Sequence, residues 1–161
     1  MNKGYKLDYH SPIGVIEIIS SEELIHSIMF VDRDLSMGHQ ADVPTVLRDC
    51  YKQLHEYFNG ERQIFTFPYE QRGTLFQQTV WNELIKIPFA ETASYRNIAY
   101  SLENEKAIRA VGNANGKNKL SIVIPCHRII GSNGRLTGYA GGLWRKEWLL
   151  NHERKIKKIN R

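Results

Sequence analysis

The chain has 161 residues, 42% apolar and 24% charged, a composition that fits a soluble globular protein and excludes a disordered one. Its two cysteines, Cys50 and Cys126, exclude a disulfide-dense scaffold and an all-cysteine zinc site, and no apolar run reaches the roughly 20 residues of a membrane span. The net charge of +5 is unevenly placed: residues 1–72 carry 7 basic and 11 acidic side chains, residues 73–161 carry 15 and 6. An acidic half followed by a basic half reads as two modules, the second suited to a polyanion such as nucleic acid. The start, Met1 to Asp8, lacks the apolar stretch of a signal peptide, so a reducing cytoplasm with both thiols free is expected.

In chain order, Ile13–Ile19 and Leu24–Phe30 are rich in Ile and Val and are separated by Ser20-Ser21-Glu22-Glu23, the pattern of an antiparallel hairpin. Asp42 and Pro44 signal a helix start. Val43, Val46, Leu47, Cys50, Leu54, Tyr57 and Phe58 then follow the helical period, and Asn59-Gly60 ends the helix. Cys50 falls on that apolar stripe, where a thiol stays protonated and serves packing. Gln63–Tyr69 reads as a further strand, and Gln71-Arg72-Gly73 as a domain boundary. Thr74 and Gln77 have capping-box spacing at the head of a helix that Pro88 stops. Ser94 caps a short helix through Leu102, and Glu105–Asn115 forms a second, with Gly116 ending it; the pair resembles a helix-turn-helix. Lys119–Pro125 is a β-rich run. Ile129-Ile130 and Arg135–Thr137 flank the turn Gly131-Ser132-Asn133-Gly134 as a hairpin. Gly138–Gly142 is a flexible loop before a helix from Leu143 to about His152, and a basic tail runs from Arg154.

The reactive candidate is Cys126, in Ile124-Pro125-Cys126-His127-Arg128. A free thiol with a pKa of about 8.5 is only about 3% thiolate at neutral pH, so it needs an activating base or cation. His127 and Arg128 are such neighbours. In a strand Cys126 and His127 would face opposite ways, but a turn after Pro125 lets them cooperate. The alternative for the same tetrapeptide is a structural cysteine beside surface charges.

Several blocks in order then identify a family: Ser94-Tyr95, Ala107-Ile108-Arg109-Ala110-Val111-Gly112, Ile124 to Arg128, Gly138-Tyr139-Ala140-Gly141-Gly142, and Lys146-Glu147-Trp148-Leu149-Leu150 with His152-Glu153. Across about residues 74–153 the chain resembles the methylated-DNA–protein-cysteine methyltransferases, which repair O6-alkylguanine. The resemblance implies an α/β, ribonuclease H-like first domain (residues 1–72, a short antiparallel sheet plus a helix) that supports the second. The second (residues 73–161) is expected to be a mainly α, winged-helix-like DNA-binding domain with the active cysteine.

By this resemblance Cys126 is nucleophile and acceptor in a single-turnover transfer of the methyl group from O6-methylguanine, with O4-methylthymine a further candidate substrate. His127 acts as base through a water and Glu153 orients it, an activated-nucleophile arrangement. The target base must be flipped out of the duplex. Arg109 fills the vacated stack, and Tyr95 crowds the adjacent phosphate and assists protonation of the leaving guanine. Ala110, Gly112 and Ala114 let their helix enter the minor groove, where readout is sequence-degenerate. Asn118 is a hinge, followed here by Lys119 where relatives often have proline. Arg128 is grouped with the DNA contacts, and Ile129, Tyr139 and Ala140 with the base pocket. Ala140 offers no hydroxyl of its own.

The expected partner is alkylated double-stranded DNA, bound by a monomer without cofactor or membrane. No metal is expected, since His10, His26, His39, Cys50 and His55 lack ligand spacing. The competing readings are a non-catalytic protein that binds alkylated bases, a cysteine hydrolase using a distant histidine such as His152, and a helix-turn-helix regulator.

Overall fold

The computed structural model describes residues 4–34 and 42–160, so His39 and Arg161 lie outside the described residues. The chain divides into two compact units, Met1–Arg72 and Gly73–Arg161.

The first unit is an antiparallel three-stranded sheet in the order β1 (Tyr5–Ser11), β2 (Gly14–Ser20), β3 (Ile25–Val31). The β2–β3 hairpin follows the sequence pattern. β1 was not legible, because Tyr5-Lys6-Leu7-Asp8-Tyr9-His10 mixes charges into the strand. It pairs from Tyr5↔Ser20 to Ser11↔Gly14 around the Pro12-Ile13 turn. Ile16, Ile18, Ile25 and Ile28 have no exposure. Helix α1 (Thr45–Phe58) lays Val46, Leu47, Cys50, Leu54, Tyr57 and Phe58 on the sheet, as the helical period predicts. Each such side chain contributes about 1.5–3 kcal/mol by leaving water.

Gln63–Tyr69 is not a strand. Among the described residues its one ladder contact is the Ile25↔Tyr69 bridge, and it is stapled to α1 instead: Gln53 Nε2 donates to Thr66 Oγ1 at 2.8 Å and Gln53 Oε1 accepts from Thr66 N at 2.9 Å. Pro68, which has no N–H, also limits its pairing.

In the second unit, α2 (Leu75–Ile85) opens with the expected Thr74–Gln77 capping box. A Cβ at Gly73 would stand 2.5 Å from the Trp81 ring, so only glycine fits where the helix begins. The two-residue strand β4 (Ala93–Ser94) leads into α3 (Tyr95–Ser101), capped by Ser94. A 3-10 turn (Glu105–Ala107) precedes α4 (Ile108–Gly116), giving the helix-turn-helix shape. Trp81 Nε1 donates to Ala114 O at 2.8 Å and ties α2 to α4.

Lys119–Pro125 does not form a strand either. Ile122 takes the left-handed conformation (φ 73°), and Val123 N and Ile124 N bond back to Ser121 O and Leu120 O at 2.8 and 2.9 Å. Leu120, Ile122 and Ile124 are all buried in this compact turn. The Asn118 side chain takes the backbone groups a strand would have paired: Leu120 N donates to its Oδ1 at 3.0 Å, and its Nδ2 donates to Ile124 O at 3.0 Å.

Pro125 (φ −79°, ψ 63°) makes an inverse γ-turn, Cys126 N to Ile124 O at 2.7 Å, and the chain enters a single 3-10 turn, Cys126–Arg128. β5 (Ile129–Ile130) then pairs in parallel with β4. The Gly131–Gly134 turn closes through Gly131 N to Arg135 O at 2.9 Å, but Arg135–Thr137 adds no strand. Helix α5 (Leu143–Ile159) continues about two turns past His152 and carries most of the basic tail in helical form.

Candidate active site

The turn at Pro125 presents Cys126 to a cleft of about 580 Å³, whose lining includes Tyr95, Arg109, Gly112, Asn118, Cys126, Thr137, Tyr139 and Ala140. The cleft therefore gathers residues of α3, α4, the Asn118 hinge and the 137–140 loop around one sulfur. Asn118, itself buried, donates from Nδ2 to Cys126 Sγ at 3.2 Å. Burial raises the thiol's pKa, while the Asn118 hydrogen bond and the Lys146 charge pull it back. At rest the sulfur is protonated, and a reaction at it needs a base.

His127 and Glu153 are fully buried and meet at 2.7 Å, Nε2 to Oε2. Glu153 also accepts from Arg128 Nε at 2.8 Å (Oε1), from Arg128 Nη2 at 3.0 Å (Oε2) and from Ala90 N at 3.0 Å (Oε1). Burial alone would raise its carboxyl. The His127 and Arg128 charges and hydrogen bonds outweigh that and hold it well below the usual carboxylate range.

An ionised carboxylate only accepts, so His127 Nε2 carries the proton. Burial lowers the imidazole's pKa against the opposing pull of Glu153, so the ring is neutral near pH 7. Nδ1 is then the basic nitrogen, and it bonds to no described residue. A hydrogen-bonded thiol, a neutral imidazole with a free lone pair, and a carboxylate fixing the tautomer together form the equipment of a nucleophilic transfer site.

Three expected site residues stand elsewhere. Arg128 is buried and spent on Glu153 and on Ile87 O, to which Nη1 donates at 2.8 Å, so it is not a surface DNA contact. Ile129 has no exposure and belongs to the core at β5 rather than to the pocket. Ala114 is 2% exposed and packs with Trp81 of α2, so it is not on the outer face of α4. Arg109 and Ala110 are exposed on that outer face, and the Gly112 backbone lies beside the Tyr95 ring. Tyr95 OH shares a 2.6 Å hydrogen bond with Thr137 Oγ1. His152 stacks on Trp148 with ring centroids 4.9 Å apart, so the histidine paired with Glu153 is His127.

Sequence reasoning gave no role to Thr137 or Lys146. Lys146 is fully buried and donates from Nζ to Thr137 O at 2.9 Å. The available signal was its spacing: it stands seven residues before Glu153, on the same face of one helix.

Comparison with known proteins gives the same picture for both units. Residues 75–155 match the family model for the 6-O-methylguanine DNA methyltransferase, DNA binding domain, and residues 5–71 match the model for its ribonuclease-like domain. A methylated-DNA–protein-cysteine methyltransferase from Methanosarcina acetivorans is 42% identical over 156 residues, covering 92% of this chain and 97% of the relative. The constitutive methylated-DNA–protein-cysteine methyltransferase of Bacillus subtilis is 41% identical over 158 residues, covering 93% and 95%. Among solved structures, Mycobacterium tuberculosis OGT in complex with DNA superposes with a TM-score of 0.83 at 39% identity, covering 95% of this chain and 93% of that one.

Proposed function

The chain belongs to the 6-O-methylguanine DNA methyltransferase family, and from that membership we propose that it repairs DNA by moving the methyl group of O6-methylguanine onto its own Cys126. The observation that carries this reading is the buried Glu153–His127 pair next in sequence to a thiol that Asn118 holds at the floor of an open cleft.

The steps balance as follows. The Cys126 proton passes through a water to His127 Nδ1, and the thiolate attacks the methyl carbon. The S–C bond forms, the C–O bond breaks, and its electron pair stays on the guanine, which takes up one proton with Tyr95 as the donor group at the cleft. His127 charges only transiently, between a carboxylate that stabilises its cation and a buried setting that keeps the resting ring neutral.

The methyl carbon of a paired base is out of reach, so the nucleotide is flipped into the cleft. The exposed α4 face with Arg109 and Ala110 suits insertion into the minor groove of double-stranded DNA, with Arg109 in the vacated stack. A thioether is a poor leaving group, and no described group is arranged to remove it, so each molecule acts once. Arg154, Lys155, Lys157 and Lys158 on α5 add phosphate contacts. Titration with lesion duplex tests this: repair stops at one methyl per protein, whereas continued guanine formation beyond one equivalent contradicts it.

A further inference from the structure

The Thr137 hydroxyl has no part in the Cys–His–Glu set, yet it joins two walls of the cleft. Its Oγ1 lies 2.6 Å from Tyr95 OH, across 42 positions of the chain, and both residues line the cleft that holds Cys126. Each partner is seated independently of the bond. The Tyr95 ring lies beside the Gly112 backbone of α4, where an added Cβ would stand 3.6 Å from Cε1. The Thr137 carbonyl accepts from Lys146 Nζ at 2.9 Å, and the Thr137 methyl group lies 3.7 Å from the place of a Cβ on Gly131. A β-branched side chain has few χ1 choices, so a methyl group set at the Gly131 corner leaves the hydroxyl aimed at Tyr95.

A hydroxyl has one proton to give and two lone pairs to accept with. Two hydroxyls at 2.6 Å share one of their two protons, and the other is left over. Tyr95 therefore has a proton for a base in the cleft only when Thr137 is the donor of the pair. We propose that Thr137 is a positioning residue for the proton that the departing guanine takes up: its hydroxyl donates to Tyr95 OH, turns the phenol proton toward the base and holds the phenolate oxygen left behind. This rests on the reading of Tyr95 as the donor group. The step balances. The Tyr95 O–H bond breaks, an N–H bond forms on the guanine as its oxygen loses the methyl group, and the Thr137 proton stays on Thr137. The half-exposed Tyr95 regains a proton from water, while His127 returns to water the one it took from Cys126. A hydrogen bond to a phenolate is stronger than one between neutral hydroxyls, so the contact strengthens as the reaction proceeds and acts on rate rather than on duplex binding. The cations of the cleft stand elsewhere: Arg109 is exposed on the outer face of α4, Arg145 donates to Gly141 O at 3.0 Å and lies over the Trp144 ring, and Lys146 is on the Thr137 carbonyl.

The test measures single-turnover transfer from O6-methylguanine duplex at saturation, and the duplex dissociation constant, in wild type, Thr137→Val, Thr137→Ser, Tyr95→Phe and the Tyr95→Phe/Thr137→Val double variant. Thermal melting verifies folding. Valine keeps the shape of threonine and removes the hydroxyl. Thr137→Val should slow transfer about tenfold with duplex affinity held within about twofold. Thr137→Ser should regain most of the rate, and Thr137→Val should change nothing further once Tyr95 is phenylalanine. A wild-type rate in Thr137→Val overturns the proposal, and so does the same slowing in the Tyr95→Phe background, since the hydroxyl would then act on another group. Should Thr137→Val not fold, Thr137→Ala is carried through the same cycle with the same expectations. A wild type that transfers no methyl group overturns the repair reading and this one with it, whereas an active wild type whose variants depart from the cycle overturns the role of Thr137 alone.

Discussion

Each unit buries one cysteine, and the two burials differ in what surrounds the sulfur. Cys50 lies on the apolar face of α1 among Val46, Leu47 and Leu54, and burial alone drives its thiol upward, out of any useful range. Cys126 is buried almost as deeply, but against Asn118, with Lys146 within electrostatic reach and His127 next in the chain. The same contrast holds for charge. In the first unit the ion pairs of Asp8 and Glu17 are made with an exposed arginine, Arg33, where solvent screens the charges. In the second unit Arg128, Glu153, His127 and Lys146 are all buried. Placing them there is costly for stability, and the arrangement is intelligible as preparation of one sulfur for reaction.

The contrast between the thiols breaks most visibly with their own substitution. Cys126→Ser abolishes methyl transfer while lesion-duplex binding persists in a gel-shift or anisotropy assay. Cys50→Ser keeps full transfer and loses about 1–3 kcal/mol of stability by burying a hydroxyl without a designed partner. A Cys50→Ser protein that loses transfer while still folded would show that the division of roles is wrong.

Next in size is Glu153→Gln, which leaves Arg128 a buried cation without its carboxylate. Denaturant unfolding should report a loss of about 3–5 kcal/mol, with transfer slowed along with it. The pH dependence gives the sign. Glu153 has a folded pKa below its unfolded value, so its contribution is fully present above about pH 4.3 and is lost as pH falls through the folded value. The acid limb of the stability curve should therefore flatten in Glu153→Gln. A variant that keeps the wild-type acid limb contradicts the pairing.

Asn118→Ala sharpens the contrast further, because it makes the surroundings of Cys126 more like those of Cys50. The thiol midpoint should move up, since the hydrogen bond that favours the thiolate is gone. Transfer near neutral pH should slow about ten- to a hundredfold, in line with a charge-assisted bond of about 1.5–3 kcal/mol. The smallest effect belongs to the end of α5. Replacing Lys155, Lys157 and Lys158 by alanine should weaken DNA binding at low salt and flatten its salt dependence by up to about 0.9 per lost phosphate contact. An unchanged slope means that those side chains face solvent.

Much of this was legible in the residues because local chemistry dictated it. The stripe from Val46 to Phe58 and the Thr74–Gln77 and Ser94 caps name their own elements. What was not legible depended on distant partners. Gln63–Tyr69 reads as a strand until Gln53 claims Thr66. Lys119–Pro125 reads as a β-rich run until one asparagine side chain satisfies its backbone. The motif around Cys126 marked the nucleophile candidate, but no spacing rule says that Glu153, 25 residues after Arg128, takes that arginine out of solvent. Lys146 turns inward rather than toward water because it shares the helix face of the buried Glu153, a signal that exists only once Glu153 is known to be buried.

The most direct test mixes the reduced protein with duplex DNA containing O6-methylguanine, takes an intact mass and maps the peptides. The mass should rise by one methylene unit, located on the peptide that contains Cys126, with unmodified guanine left in the duplex. A methyl group on Cys50 or elsewhere, or tight lesion binding with no mass gain, would contradict Cys126 as the acceptor.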